Sequence, residues 1–489
     1  MRREHKGAAL HRYADTYYSG QFRGTEGGPM AFRLTLPEKV TKLISIIEKA
    51  GYEAYAVGGC VRDAILGRVP QDWDVTTSAT PEQVKALFTH TVDTGIAHGT
   101  VTVLMNREGF EVTTYRIDGA YEDCRHPKEV TFTRSLEEDL KRRDFTVNAM
   151  AYNDKTGLVD LFGGREDLTN GIIRAVGDPN ERFQEDALRI FRAIRFAAQL
   201  GFTIDPETEK AMSSFAGNLQ AVSAERIREE LTKLLGSDHP EEMIRASEIG
   251  LTAYWLPEWD TMLATPQENI HHIYDVGRHT IESIRAMHAS ETYRNADRHT
   301  RTVLDYTMLL HDCAKPACKT YHEDGSAHFK GHDHLSAKLG RTVLRRLKFD
   351  NETIDTAEKL IDNHDCRLKL KHQKIDYMLR RVMNRIGADN MPLLFEVQRA
   401  DAHAHAPAFL EGNLTVIGRM EEACRRIIEE GQCVSLKTLA VKGADLMALG
   451  FAPGPKLGGI LSQLLEDVLE FPEHNTKEYL LNAARGMKE

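Results

Sequence analysis

A strand that leads through two glycines into a helix is the feature that most constrains this chain. Residues 52–59, "YEAYAVGG", have the character of a buried strand, and "CVRDAILG" follows with helical spacing. Glycines at such a junction let phosphate groups approach the backbone N–H groups at the positive end of the helix. Gly58, Gly59 and Arg62 are therefore candidate ligands for a triphosphate. A simple tight turn remains the alternative explanation of the glycines.

Two carboxylates follow this junction closely, in "DWDV". A third lies further along the chain, in "GFEVTTYR". In an extended segment Asp72 and Asp74 point to one side, whereas Trp73 and Val75 point toward the core. Glu111 lies on another predicted strand. Adjacent carboxylates repel each other unless a cation bridges them. Three of them on neighbouring strands can hold two Mg²⁺ ions roughly 3.5–4 Å apart, so we interpret the pattern as a two-metal site rather than an acidic surface loop.

The pattern changes along the chain from mixed α/β to almost entirely helical. Its 489 residues are too many for one core, so we expect three or four domains. We predict an extended N-terminal segment over 1–30, a mixed α/β head over 31–165, a helical neck over 166–265, a histidine-rich helical domain over 266–410 and a helical tail over 411–489.

Composition excludes several classes of protein. No apolar run reaches membrane-spanning length, so we expect no membrane partner. The first 30 residues lack the apolar core of a signal peptide. Seven cysteines without a C-x-x-C pair indicate free thiols and a cytoplasmic location. The net charge of −10 means that nucleic-acid binding depends on local basic runs. Such runs are "KRRDF", "RTVLRRLK", "RLKLKHQK" and "YMLRRVMNR".

Six segments resemble, in order, the motifs of the class II tRNA nucleotidyltransferases, or CCA-adding enzymes, of the polymerase-β-like superfamily. They are "GGCVRDAILG…DWDV", "EVTTYR", "DCRHPKEVTF", "RRDFTVNAMAY", "EDALRIFRAIRFA" and "ERIREEL". The resemblance is dense over residues 31–235. It implies an α+β fold, with a five-stranded head and an elongated, mostly helical body. It also implies Mg²⁺ at Asp72, Asp74 and Glu111, with tRNA, CTP and ATP as partners.

The same resemblance implies that Asp186 and Arg189 read the edge of the base without a nucleic-acid template. The residues themselves agree, because Asp186, Arg189 and Arg192 recur every three positions and can share one helix face. An apolar stripe occupies another face. A carboxylate and a guanidinium offer the acceptor and donors that cytosine or adenine needs. A salt bridge on a solvated helix is the alternative.

Further residues follow from the resemblance. It places Arg143, Asp144 and Asn148 near the sugar and phosphates of the nucleotide, although Asp144 and Asn148 could equally be internal hydrogen-bond partners. It places Glu225, Arg226, Arg228 and Glu229 of "ERIREEL" in support of the pocket, although each could equally belong to a charged helix surface. The segment "YEDCRHPKEVTF" resembles the family's flexible loop and favours complete CCA addition, although Cys124 replaces the usual glycine.

The histidine-rich block resembles the HD phosphohydrolase superfamily. Its candidate ligands are His279, His311, Asp312 and Asp401, with His332 and His364 matching the extra ligands of two-metal members. Neutral imidazoles and carboxylates bind transition metals or Mg²⁺, and a metal-bound water can attack phosphate esters. We expect a metal site here and, as a separate hypothesis, phosphatase or 2′,3′-cyclic phosphodiesterase activity.

Three other functions remain possible from the sequence. A poly(A) polymerase is the nearest alternative, although "TGIAHGTVTVLM" resembles the CCA-adding pattern more. The HD site could carry the main activity, with a head that only binds nucleotides. A non-enzymatic RNA-binding module is disfavoured, because three clustered acids would repel each other without serving catalysis.

Overall fold

The computed structural model describes residues 33–119, 130–366 and 375–487 of the chain. These fall into two compact units, Met1–Trp255 and Leu256–Glu489. The expected extension over 1–30, the loop segment with Cys124 and the basic run over 367–374 lie outside the described residues. The narrower domain boundaries given above stay predictions.

The first half of unit 1 is a mixed α/β head. Its strands are β1 (Ala54–Val57), β2 (Val75–Thr77), β3 (Thr91–Gly95), β4 (Thr100–Met105), β5 (Glu108–Thr114), β6 (Arg116–Asp118), β7 (Val130–Phe132), β8 (Met150–Asn153) and β9 (Gly157–Asp160). Its helices are α1 (Glu38–Lys49), α2 (Gly59–Ile65), α3 (Pro81–Leu87), α4 (Leu136–Lys141) and α5 (Gly164–Asn170).

The head is built on a sheet of seven strands in the order β3-β4-β5-β2-β1-β8-β9, with β6 and β7 forming a separate pair. The expectation of five strands is therefore wrong in number. The hairpin β8–β9 adds two strands, because the buried backbone of β8 pairs antiparallel with β1. Only β2 and β5 pair in parallel. Strand β1 is buried throughout, which places the glycine turn at the centre of the sheet.

The rest of unit 1 is mostly helical. It contains α6 (Pro179–Glu185), α7 (Leu188–Leu200), α8 (Pro206–Phe215), α9 (Ala224–Leu235) and α10 (Glu242–Glu248), with the short parallel pair β10 (Ile172–Ile173) and β11 (Thr203–Ile204). The expected apolar stripe of α7 is confirmed, because Leu188, Phe191, Ile194 and Ala198 are all buried. Helix α9 packs against α7.

Unit 2 is helical apart from one hairpin. Its helices are α11 (Pro257–Leu263), α12 (Val276–His288), α13 (Glu291–Asn295), α14 (Arg298–Leu310), α15 (Lys315–Cys318), α16 (His332–Arg346), α17 (Asn351–Asn363), α18 (Ile375–Ile386), α19 (Met391–His403), α20 (Pro407–Glu429), α21 (Gly443–Ala448), α22 (Pro455–Glu470) and α23 (Lys477–Gly486). The hairpin joins β12 (Thr320–Tyr321) to β13 (Ala327–His328). Helices α12, α14, α17 and α19 pack together. His279 and Asp401 lie on α12 and α19, and the other candidate ligands lie directly after α14 and α17 or at the start of α16. Among the described helices, none is long and apolar enough to cross a membrane.

The basic runs within the described residues are partly neutralised inside their own units. Arg142 pairs with Asp139 at 2.7 Å, and Arg346 pairs with Glu258 at 2.6 Å. Arg380 is buried and donates to the carbonyl of Leu469 at 2.7 Å. These cations stabilise the fold, so fewer charges remain for an RNA backbone than the sequence indicates.

Candidate active site and metal cluster

The glycine turn lies beside a cation, the guanidinium of Arg143. Gly58 ends β1 with a φ of +82°, a conformation that residues with a side chain rarely adopt. A Cβ atom at Gly58 would also lie 2.9 Å from Arg143 Nη1. The backbone conformation therefore favours glycine here, whereas the Arg143 side chain can move to relieve the contact.

The three head carboxylates meet where β2 and β5 run side by side. Val75 of β2 lies opposite Val112 of β5 in the parallel register, so Asp74 and Glu111 precede a matched pair on adjacent strands. Asp72 and Asp74 both remain accessible to solvent, whereas Val75 is buried as predicted.

The three acids interact electrostatically. The pKa of Asp74 is raised to about 6, first by the loss of hydration around its carboxylate, then by Glu111 and, more weakly, by Asp72. Arg143 acts in the opposite direction and lowers this pKa. Three oxygen donors whose negative charges repel fit a divalent cation such as Mg²⁺, since the ion relieves the repulsion.

A buried chain of hydrogen bonds lies behind the glycine turn. Arg62 donates to Asn148 Oδ1 at 2.7 Å, and Asn148 Nδ2 donates to Asp144 Oδ1 at 3.1 Å. Arg192 donates from Nε to Asp144 Oδ2 at 2.8 Å. Burial alone would raise the pKa of Asp144, but Arg192 and Asn148 lower it well below its usual range. Asp144 and Asn148 are therefore internal partners that fix both Arg62 and Arg192.

The hydrogen-bond network behind the glycine turn continues through residues that the sequence analysis did not identify as candidates. Glu230 of α9 accepts from Arg195 Nε at 2.7 Å and lies 3.8 Å from Arg192 Nη1. Three guanidinium groups lie within cation–π range of the Phe196 ring: Arg62 at 5.0 Å, Arg192 at 5.3 Å and Arg195 at 3.5 Å. In the sequence, Glu230 is one acid in the charged run "ERIREEL", and no local signal distinguishes it.

Asp186 does not lie on the helix that carries Arg189. Helix α6 ends at Glu185, Asp186 has extended backbone, and α7 begins at Leu188. The predicted shared face of Asp186, Arg189 and Arg192 is therefore wrong. The Asp186 side chain instead accepts from the Leu188 N–H at 3.0 Å, which satisfies a free donor of the first turn.

Both expected base-reading residues are oriented by neighbours. Arg226 of α9 binds Asp186 with two hydrogen bonds, of 2.7 and 3.3 Å. Arg189 donates to Glu185 Oε2 at 2.6 Å and to the carbonyl of Arg142 at 2.9 Å. The supporting helix thus acts here through Arg226, whereas Glu225 is exposed and Arg228 half-buried. The arrangement holds one carboxylate and one guanidinium in fixed directions.

Unit 2 brings together all six predicted ligands. His279 Nε2 lies 2.9 Å from Asp401 Oδ1 and 3.6 Å from Asp312 Oδ2. His311 Nε2 lies 3.1 Å from Asp312 Oδ2. On the other side of Asp312, His332 and His364 approach Oδ1 at 3.3 and 3.7 Å. We call these six residues the histidine cluster.

The backbone sets the orientation of the four imidazoles. The Nδ1 atoms of His279, His311, His332 and His364 lie 3.3, 2.7, 2.8 and 2.7 Å from the carbonyl oxygens of Ala404, Met308, Phe329 and Ile361. Nδ1–H therefore donates to the backbone in each ring, and the Nε2 lone pair faces the carboxylates. This is the orientation in which histidine binds a metal ion.

Asp312 is the centre of the cluster. It forms one set of possible ligands with His279 and His311 and a second with His332 and His364. Both of its oxygens and His311 Nε2 are buried; Lys315 Nζ lies 2.7 Å from Oδ2, and His332 Nε2 lies 3.3 Å from Oδ1. Imidazole nitrogens and carboxylate oxygens bind divalent ions, so this donor set of nitrogen and oxygen fits one or two divalent metal ions.

Sequence reasoning missed the nearest charged neighbour of this cluster. Lys315 is buried, lies 2.7 Å from Asp312 Oδ2 and donates to Gln267 Oε1 at 2.8 Å. It lies one helical turn after Asp312, and the i, i+3 spacing in "HDCAK" was the available signal. Lys315 balances part of the negative charge of Asp312.

Three family models match parts of this chain. Residues 54–174 match the family model "Poly A polymerase head domain", and residues 201–263 match "Probable RNA and SrmB-binding site of polymerase A". Residues 332–484 match a model described as tRNA nucleotidyltransferase domain 2.

Whole-chain similarity extends further. The chain is 35% identical to a CCA-adding enzyme of Levilactobacillus brevis over 450 residues, which are 91% of this chain and 97% of that protein. A CCA-adding enzyme of Lactiplantibacillus plantarum is 56% identical over 198 residues, 40% of this chain and 49% of that protein. The crystal structure of the Bacillus stearothermophilus CCA-adding enzyme in complex with CTP aligns with 93% of this chain and 99% of its own, at 29% identity and a TM-score of 0.64.

Proposed function

The chain belongs to the family of CCA-adding enzymes, and we propose that it adds C, C and A from CTP and ATP to the 3′ end of tRNA without a template. The observation that carries the proposal is the meeting of Asp72, Asp74 and Glu111 beside the Gly58 turn. A cytoplasmic location, expected from the cysteine pattern, is part of the same proposal.

Asp72, Asp74 and Glu111 would hold Mg²⁺. The metal, when bound, activates the 3′-hydroxyl of the RNA and neutralises the leaving pyrophosphate. The hydroxyl attacks the α-phosphate of the nucleotide, and the bond to the β-phosphate breaks. Asp74 is suited to this role because its raised pKa still leaves it ionised at neutral pH.

Backbone and cations of the head would bind the triphosphate. Gly59 begins α2, the Gly58 N–H donates to the carbonyl of Met150 at 3.1 Å, and Arg143 lies against Gly58. Arg62 is fixed by Asn148 and by Asp63 at 2.8 Å. It therefore presents a guanidinium in a constant position, and Asp144 and Asn148 serve as positioning residues behind it.

Asp186 and Arg189 would select the base. Their directions are set by Arg226 and Glu185. A fixed acceptor and a fixed set of donors accept cytosine or adenine and leave partners unpaired with other bases. We propose that Arg192 keeps the floor of this pocket in place through Asp144.

Incubation with tRNA lacking its end, together with CTP and ATP, tests the proposal. Three added residues are expected. A long A tail would identify a poly(A) polymerase, and no addition in Mg²⁺ would leave only RNA binding. The variant Arg189→Ala is expected to incorporate UTP and GTP more readily while it still adds nucleotides.

We further propose that the histidine cluster is a divalent-metal phosphohydrolase site. The supporting observation is the common orientation of four imidazoles around Asp312, which is buried and belongs to two sets of possible ligands. The metal would be a transition ion or Mg²⁺ and would supply a nucleophilic water.

Hydrolysis of 2′,3′-cAMP and p-nitrophenyl phosphate with a series of divalent metals tests this second activity. His311→Ala and Asp312→Ala should abolish it and leave nucleotide addition intact. If the wild-type protein hydrolyses neither compound with any of these metals, the second activity is wrong and the cluster has a structural role.

A further inference from the structure

Asp139 is a buried carboxylate of the head that lies outside the group of three proposed to hold Mg²⁺. It belongs to α4, and its side chain is fully buried. Arg142 donates to Oδ1 from Nε at 3.0 Å and from Nη2 at 2.7 Å. On the other oxygen, Thr76 donates its hydroxyl at 3.0 Å, and Arg143 Nη2 lies 3.5 Å away. Burial alone would raise the pKa of Asp139, but Arg142 and Arg143 lower it, so the carboxylate stays charged.

The Thr76 contact connects Asp139 to both strands that present the candidate metal ligands. Thr76 lies on β2, two positions after Asp74. In the parallel register it is opposite Thr113 of β5, which lies two positions after Glu111. The Thr76 hydroxyl is also 3.2 Å from the carbonyl oxygen of Thr113. Because residues two apart on a strand face the same side, Asp139 is anchored on the side of the sheet that carries the head carboxylates.

Arg143 connects Asp139 to the glycine turn. Its Nη2 faces Asp139, whereas its Nη1 lies 2.9 Å from the position of a Cβ atom at Gly58. A guanidinium without a fixed counter-charge would be attracted to the solvent-accessible carboxylates of Asp72 and Asp74. Asp139 supplies the counter-charge from the buried side, so Nη1 stays directed toward the turn.

We propose that Asp139 is a positioning residue for nucleotide binding, which holds the Arg143 guanidinium toward a triphosphate beside the glycine turn. The inference rests on the proposed function for its place in nucleotidyl transfer, but not for ligand binding. Its effect extends to any nucleoside triphosphate, since the phosphate groups are common to CTP and ATP. Asp139 thereby differs from Asp186 and Arg189, whose proposed contacts are with the base.

CTP and cytidine form a matched pair of ligands, because they share the base and differ by the triphosphate. Asp139→Asn keeps the shape of the side chain and removes its charge. In Mg²⁺ and without tRNA, this variant should bind CTP about 10-fold more weakly, the size of one displaced charged contact, and cytidine with unchanged affinity. Equilibrium dialysis with labelled ligands measures both. Glu137→Gln, an exposed acid on the same helix, is the control and should match the wild type.

A double variant tests whether Asp139 acts through Arg143. Arg143→Gln should weaken CTP binding by itself, and the addition of Asp139→Asn should cause no further loss. In steady-state addition to tRNA lacking its end, Asp139→Asn should raise the KM for CTP and the KM for ATP by the same factor. If the wild type adds no nucleotide yet shows the difference in CTP binding, the transfer proposal fails and the binding role of Asp139 stands.

Equal losses for CTP and cytidine would indicate a structural role and overturn the proposal, as would additive losses in the double variant. Thr76→Val serves where Asp139→Asn does not fold, because it removes one hydrogen bond of Asp139 and keeps every charge. It should weaken CTP binding about threefold and leave cytidine binding unchanged. Wild-type affinity of Thr76→Val for CTP would overturn the proposal.

Discussion

The head and the histidine cluster both gather acids around a place for a cation, but they hold those acids differently. Asp72 and Asp74 are open to solvent, and Asp74 is repelled by its neighbours. Asp312 and Asp401 are only 1% and 4% exposed, and backbone carbonyls fix the imidazoles around them. An open site suits an ion that arrives and leaves with each nucleotide. A buried, preoriented site suits an ion that stays.

Removal of a head carboxylate should have the largest effect. Asp74→Ala is expected to lower both C and A addition by about 10³-fold or more, because metal ions contribute several kcal/mol to transition-state stabilisation. Quantitative primer-extension on tRNA lacking its end measures the rate, and filter binding should show unchanged tRNA affinity. Glu108→Gln is the control, since Glu108 is an exposed acid on β5, the strand of Glu111, and forms an ion pair with Lys39. Near-normal addition by Asp74→Ala would refute the metal assignment.

Metal retention should separate the two sites next. Asp312→Asn is expected to lower bound divalent metal at least about 10-fold, because this carboxylate belongs to both sets of possible ligands. Elemental analysis of the gel-filtered protein measures the content. The Asp74→Ala variant should retain as much divalent metal as the wild type, because its histidine cluster is unchanged. If the wild-type protein retains no ion after loading with Mn²⁺, Ni²⁺ or Fe²⁺, the histidine cluster does not hold a metal more firmly than the head carboxylates do.

Arg226 is the next residue to test, because its guanidinium holds Asp186, the acid proposed to read the base. Arg226→Ala removes both hydrogen bonds to Asp186. We expect the preference for CTP over UTP to fall about 10-fold, the size of one lost polar contact, with a smaller effect on turnover. Competition assays with both nucleotides measure it. The exposed neighbour Glu229→Gln should keep the wild-type preference; if Arg226→Ala also keeps it, Asp186 does not read the base.

The smallest effect concerns stability and pH. The pKa of Asp74 is raised to about 6, whereas an unfolded aspartate titrates near 3.9. The folded state therefore binds this proton more tightly, and stability is lost as pH rises from about 4 to about 6. Asp74→Asn should raise the Tm of the metal-free protein by about a degree or two at pH 7, and the gain should fade as pH falls toward 4. A gain that is independent of pH would argue against repulsion as its cause.

Local features could be predicted well from the sequence, whereas contacts between residues far apart in the chain could not. The strand before Gly58 and the opposite directions of Asp74 and Val75 follow from short-range patterns, whereas the six residues of the histidine cluster came from the resemblance to the HD phosphohydrolases. The break between α6 and α7 could not be predicted, because the apolar spacing continues across Asp186. Arg226 and Glu230 find their partners 40 and 35 residues away. Which acid in a charged run becomes buried is decided by tertiary packing, which one sequence does not display.

The single parallel pairing of the head has a consequence for folding. Strands β2 and β5 meet with Thr76 opposite Thr113, residues that are 37 positions apart. Hairpins such as β4–β5 close locally, but a parallel pair must wait until the intervening chain has folded back. Asp74 and Glu111 are thus separate until a late step of folding and repel each other only when it completes. Activity should consequently appear after most of the head's secondary structure during refolding, and divalent cations should favour that last step.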